Sequence, residues 1–165
     1  MRIEAPDPAP EALALTAPPG GEPPITIAAL AHCDTLMGPF LGWAAALALN
    51  GSLPRRDHEL LAMRAAHNCG STFEWDEHAG FCRRDGITDD EIERIRAGAD
   101  APGWAPYEST LLRAADELHR TFQLTPSTWA ELAARYDTAQ LVEVVYVVGQ
   151  YTMLSMVANV VEGDS

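Results

Sequence analysis

The feature that most limits what this chain can fold into is the run from Leu141 to Val161. It is long, mostly apolar and close to the length that spans a bilayer. Strands average only about 5–6 residues, so a run of this length reads as one helix, although its many valines lower helix propensity. Glu143, Gln150 and Asn159 interrupt it. A charge and two amides are costly in lipid, so the expected setting is the interior of a bundle or oligomer, not a membrane.

The rest of the chain carries the same period. Ile25 to about Leu49 is apolar, with a break expected near Gly38-Pro39. Pro54 suits a first helical position, and the helix it opens continues through Leu60, Leu61 and Met63 towards Asn68. Phe73 to Arg84 forms another, stopped by Gly86. Thr88-Asp89-Asp90-Glu91 spells a capping box, in which hydroxyl and carboxylate satisfy each other's backbone N–H groups. Leu111, Ala115, Leu118 and Phe122 recur at helical spacing, and Thr125-Pro126 opens a further helix through Trp129, Leu132 and Tyr136. No alternating strand pattern and no internal repeat is present. The expected fold is all-α, a single-domain bundle of six to eight helices over 25–165. Residues 1–24, holding seven of twelve prolines, read as an extended arm.

Composition narrows the function classes. At 165 residues and 47% apolar, the chain supports one ordinary core. Its net charge of −13 repels phosphate backbones and anionic lipid, so no nucleic-acid and no membrane partner is expected. Cys33, Cys69 and Cys82 are odd in number and widely spaced, which implies neither a disulfide framework nor a zinc cluster. No charged-then-apolar leader opens the sequence, so the expected compartment is the cytoplasm with reduced thiols.

The chemistry-bearing stretch runs from His58 to His78. His67, Ser71, Glu74 and His78 are spaced by 4, 3 and 4, one face of a helix if it continues through Gly70. If it breaks there, Ser71, Glu74 and His78 still stay together. A carboxylate one turn from an imidazole can hold its tautomer and raise its basicity, and such a histidine exchanges protons near neutral pH. Glu59 reaches the same place if the two helices form an antiparallel hairpin. A surface Glu–His pair at this spacing is the competing reading, with only a weak interaction to its credit.

The arrangement Glu59, eleven residues, Ser71, two residues, Glu74, three residues, His78 resembles the carboxymuconolactone decarboxylase family, which includes the alkylhydroperoxidase-D-like proteins. The similarity continues through Gly86-Ile87-Thr88-Asp89-Asp90-Glu91-Ile92, Ala115-Asp116-Glu117-Leu118-His119, Trp129-Ala130-Glu131-Leu132 and Gln140-Leu141-Val142-Glu143, covering roughly residues 28 to 162. The redox members carry cysteines where this chain has Ser71 and Glu74, and a relay histidine where it has Phe73. Peroxide reduction needs a thiolate and a resolving thiol, which serine and glutamate do not supply.

The resemblance therefore implies a cofactor-free lyase or decarboxylase acting on a small carboxylated or lactone substrate. In that reading His78 is the general acid/base, Glu74 orients it, Glu59 shares the relay and Ser71 bonds substrate. A non-catalytic small-molecule-binding or assembly protein is the alternative from a different class, and a thiol peroxidase is disfavoured. The family also implies a homo-oligomer: a dimer, trimer or hexamer. Trp75 is expected in the pocket wall or the core, and Tyr151 in the pocket or as a bonded core phenol. Arg64 is expected to bind a substrate carboxylate or to pair with Glu59. His67 is expected near substrate. With Glu74 and His78 it would make an acceptable N/O ligand set, although no metal is expected. His32 and Cys33 are expected near the entrance or in simple packing, and His58 and His119 at the surface.

Overall fold

The computed structural model describes residues 3–7, 9–18 and 21–163. The arm reading extends over Met1, Arg2, Pro8, Pro19 and Gly20, which lie outside the described residues. Among the described residues the chain is all-helical and has no strand. In order the helices are α1 (Glu11–Ala14), α2 (Ile25–Leu30), α3 (Asp34–Asn50), α4 (Arg55–Asn68), α5 (Thr72–Arg84), α6 (Asp89–Ala97), α7 (Pro106–Thr121), α8 (Pro126–Ala133) and α9 (Thr138–Glu162).

These helices form two compact units, Met1–Asn50 with Met156–Ser165, and Gly51–Ser155. In the first, Leu13, Ile27, Ala31 and Met37 form a small core, with Phe40 and Leu41 packed against it. Leu13 belongs to α1, so the proline-rich segment is not wholly extended. The expected break at Gly38-Pro39 falls instead at 31–33, between α2 and α3. Helix α3 carries Pro39 within it; early in a helix the missing N–H forfeits one bond. His32 and Cys33 are exposed in this unit, and His32 Nε2 lies 2.7 Å from the Glu4 carbonyl.

In the Gly51–Ser155 unit α4 is the central element, packed against α5, α6 and α7. Leu60, Leu61 and Met63 of α4 are fully buried, as are Ile95, Leu111, Leu112, Val144 and Val147. Pro54 caps α4 rather than opening it, one residue earlier in role than the sequence suggests. The capping box forms at α6: Thr88 Oγ1 accepts from the Glu91 backbone N–H, and Glu91 Oε2 accepts from the Thr88 backbone N–H. Thr125 caps α8, and the buried Glu117 accepts from its backbone N–H and from the Thr128 hydroxyl. Tyr136, expected within α8, lies beyond its end and donates to the buried Asp57 at 2.8 Å.

Helix α9 is long and apolar enough to cross a membrane by length and composition alone. Two of the polar residues in it, Glu143 and Gln150, are buried. The Glu143 carboxylate accepts from the backbone N–H groups of Ser52 and Leu53, at 2.6 and 3.2 Å, and from the Ser52 hydroxyl. A buried carboxylate saturated in this way is a feature of protein interiors.

Candidate active site

Helix α4 ends where the site begins. Gly70 sits at φ +64°, a conformation glycine adopts without steric cost. The Gly70 N–H bonds the His67 carbonyl and the Ser71 N–H bonds the Ala66 carbonyl, the paired bonds of a Schellman stop. The chain then restarts at once. Ser71 is extended and its hydroxyl accepts from the Glu74 backbone N–H at 3.3 Å, capping α5. The sequence left open whether one helix runs through Gly70; it does not. His67 is therefore on a different helix from Glu74 and His78.

The reversal lays α5 against α4 and brings Glu59 to His78. His78 Nδ1 lies 2.8 Å from Glu59 Oε2, and both side chains are buried, at 5% and 1% exposure. Burial pushes the Glu59 carboxyl up. The hydrogen bond and charge of His78, with His58 and Arg55, outweigh it and hold the group below its ordinary value. A carboxylate only accepts, so Nδ1 carries a proton and donates it to Glu59, and Nε2 faces the other way.

On that side stands Glu74, with Oε2 at 3.9 Å, one step beyond a hydrogen bond. Glu74 is buried, and burial raises its pKa to about 7 despite the opposing influence of His78. The two carboxyls thus differ in task from the sequence reading. Glu59, not Glu74, orients the imidazole, and Glu74 is the acid whose proton is exchangeable near neutrality. The physical reason is reach: an i,i+4 pair on one helix spans 3.9 Å here, whereas the packed neighbour helix delivers a direct bond.

Tyr151 of α9 closes the cluster. Its ring meets His78 edge-on at 4.4 Å, and its hydroxyl shares a 3.0 Å bond with His58 Nε2. Burial raises the phenol, so it stays protonated. His58, expected at the surface, is buried, and burial lowers its pKa to about 4, which makes it a neutral partner. Arg55 was also missed. Its guanidinium bonds Glu59 at 2.9 Å and Asp85 at 3.3 Å. The i,i+4 spacing of Arg55 and Glu59 was the available signal.

Arg64 takes neither expected role. It forms a two-pronged pair with Asp116, at 2.6 and 3.0 Å, and donates to the carbonyls of Ile95 and Arg96. His119, expected at the surface, is half-buried with Nδ1 3.8 Å from the Cys69 sulfur. Among the described residues no three His, Cys, Asp or Glu side chains group as metal ligands; His67, Glu74 and His78 are not such a set. His67 instead meets the Trp75 ring edge-on at 5.9 Å. Trp75 is buried, and with His67, Ser71, Thr72, Asp76 and Arg96 it lines a cavity of about 350 Å³.

His78 thus stands between two buried carboxyls, Glu59 and Glu74, on an all-helical frame of the alkylhydroperoxidase-D-like fold. The carboxymuconolactone decarboxylase family matches residues 36–117, which supports the resemblance carried by the sequence. No curated protein matches it. Two solved structures share the fold. One is a protein of unknown function from Agrobacterium tumefaciens, proposed as the antioxidant defence protein AhpD. It has 17% identity and a TM-score of 0.74, with 82% of this chain and 93% of that one covered. The other is an uncharacterized peroxidase-related protein from Ralstonia eutropha with the alkylhydroperoxidase AhpD core. It has 14% identity and a TM-score of 0.77, with 94% of this chain and 84% of that one covered.

Proposed function

We propose that the protein is a cofactor-free carbon–carbon lyase of the decarboxylase type, acting on a small carboxylated or lactone substrate in the cytoplasm. The observation that carries this reading is the His78 imidazole with one face bonded to an ionised Glu59 and the other turned to a Glu74 that titrates near 7. In such a reaction the bond to the carboxylate carbon breaks and carbon dioxide leaves. The electron pair passes into a conjugated carbonyl, and the resulting enolate takes a proton at carbon. Glu74 and His78 are the donors suited to that last step, and the Tyr151 phenol, at the edge of His78, suits a hydrogen bond to the enolate oxygen.

Thiol peroxidase chemistry is a poor fit. Ser71 and Glu74 stand at the redox positions, and burial raises both Cys69 and Cys82, the latter to about 12, so neither is a thiolate near neutral pH. A homo-oligomer is part of the proposal. Val142, Val145, Tyr146 and Met153 of α9 are exposed, an apolar stripe of the kind that symmetric assemblies cover.

The test is a panel of carboxylated lactones and β-keto acids incubated with wild type and with His78→Ala, read by mass spectrometry. Loss of carbon dioxide, with one solvent deuterium in the product and only with wild type, is the expected result. A tight, unreacted complex formed equally by both proteins would instead support a binding protein.

A further inference from the structure

The Glu59–His78–Glu74 cluster does not by itself say how a substrate is held, and the cavity beside Ser71 has features that cluster does not use. Its volume of about 350 Å³ lies at the small end of metabolite pockets, which run from about 300 to 1,000 Å³. Arg96 stands over the face of Trp75, 4.1 Å from the ring centroid. That stack fixes a guanidinium at the cavity wall without using its hydrogen-bonding edge. The Nε group bonds Glu93 at 3.3 Å; among the described residues the two Nη groups have no hydrogen-bond partner.

The rest of the lining is suited to a flat, partly apolar body. Trp75 contributes ring surface and Ala66 a methyl group. His67 is held in its neutral form by burial and by the charges of Arg64 and Arg96. Thr72 adds a hydroxyl at the positive end of α5. Asp76, also on the wall, is exposed and disfavours a second negative charge. Ser71 belongs both to this cavity and to the cap that accepts from the Glu74 backbone N–H, so the cavity lies one residue contact from the cluster.

We propose that this cavity is the substrate subsite, that Arg96 is its specificity-determining residue, and that it takes a small planar monoanion whose carboxylate meets the Arg96 fork. The proposal rests on the proton-transfer reading for what happens next, but not for binding. A planar Nη pair matches a carboxylate two-pronged, which lysine does not reproduce.

Benzoate is the probe, with benzamide as its uncharged counterpart, titrated by calorimetry into wild type, Arg96→Gln, Arg96→Lys and Arg120→Gln. Arg120 lies on a separate cavity with Arg113 and His119 and serves as the control cation. Wild type and Arg120→Gln are expected to bind benzoate at least tenfold more tightly than benzamide. Arg96→Gln should lose that preference and Arg96→Lys should retain only part of it. Equal benzoate affinity in wild type and Arg96→Gln overturns the proposal, as does loss of binding in Arg120→Gln alone or no binding by wild type. Binding that depends on Arg96 without any turnover keeps this inference and removes the lyase reading. Turnover that depends on His78 and ignores Arg96 does the reverse.

Discussion

Towards α7, helix α4 places Arg56 2.7 Å from Glu108 and Arg64 2.6 Å from Asp116, with Asn68 also bonding Asp116. Towards α5 it places Glu59 2.8 Å from His78, with a second buried carboxyl, Glu74, beyond. On the first seam every acid has an arginine, and arginine does not give up its proton. On the second, Glu59 also bonds Arg55, but Glu74 has only the imidazole it shares with Glu59, so the number of protons held there is open to change. One helix thus builds a fixed electrostatic clamp on one side and a titrating cluster on the other.

The sharpest way to break the titrating side is His78→Ala. Turnover should fall by about 10²–10⁴, the range general acid–base catalysis contributes, while circular dichroism stays unchanged. An unaltered rate would show that the cluster is structural. The clamp side should answer in stability instead. Asp116→Ala leaves Arg64 without its acid and should cost about 2–4 kcal/mol in urea unfolding, with little effect on the chemical step once folded. A loss below about 0.5 kcal/mol would mean that solvent screens the pair as it does at open surfaces.

Glu74→Gln separates the two seams by pH. Glu74 has a folded pKa raised from 4.5 to about 7. Its protonated form is favoured by folding, so that stabilisation is complete below pH 4.5 and is lost as pH rises through 7. Above 7 the wild type carries a buried charge that glutamine does not, and Glu74→Gln should be more stable by about 1–3 kcal/mol at pH 8. His58 works in the opposite sense. Its folded pKa is lowered from 6.5 to about 4, so its contribution is present above 6.5 and disappears as pH falls through 4. Thermal melts from pH 4 to 8 would reveal both limbs, and the rate profile should lose an ionisation near 7 in Glu74→Gln. The smallest effect belongs to Thr88→Ala, which removes one cap of α6 outside both seams and should cost about 1 kcal/mol.

How much of this was legible depended on whether the determinant was local. Caps and stops are local, and Thr88, Thr125 and Gly86 could be read from neighbouring residues. Pro39 could not, because a helix tolerates one lost bond when the remaining turns hold. At the site, the grouping of Ser71, Glu74 and His78 followed from spacing, and the approach of Glu59 from a supposed hairpin. The exchange of roles between Glu59 and Glu74 was hidden, since it turns on a distance between helices. His58 was misread for a related reason: one residue from Glu59, it still faces inward, and only the arrival of Tyr151 from α9 makes that burial satisfied. Arg64 was drawn to Asp116, 52 positions away, by α7 packing that no short window contains.

The bond from Glu143 to the Ser52 backbone joins positions 91 residues apart. It makes the first turn of the Gly51–Ser155 unit and its last helix neighbours, so that the unit closes on itself like a buckled belt. The entropic cost of closing so long a loop grows only as the logarithm of its length, about 0.6 kcal/mol for each doubling. Helices within the belt could therefore acquire longer connections during evolution with little penalty, provided the buckle held. Opening it by Glu143→Ala would free both ends at once, and the whole circuit, not one helix, would register the change.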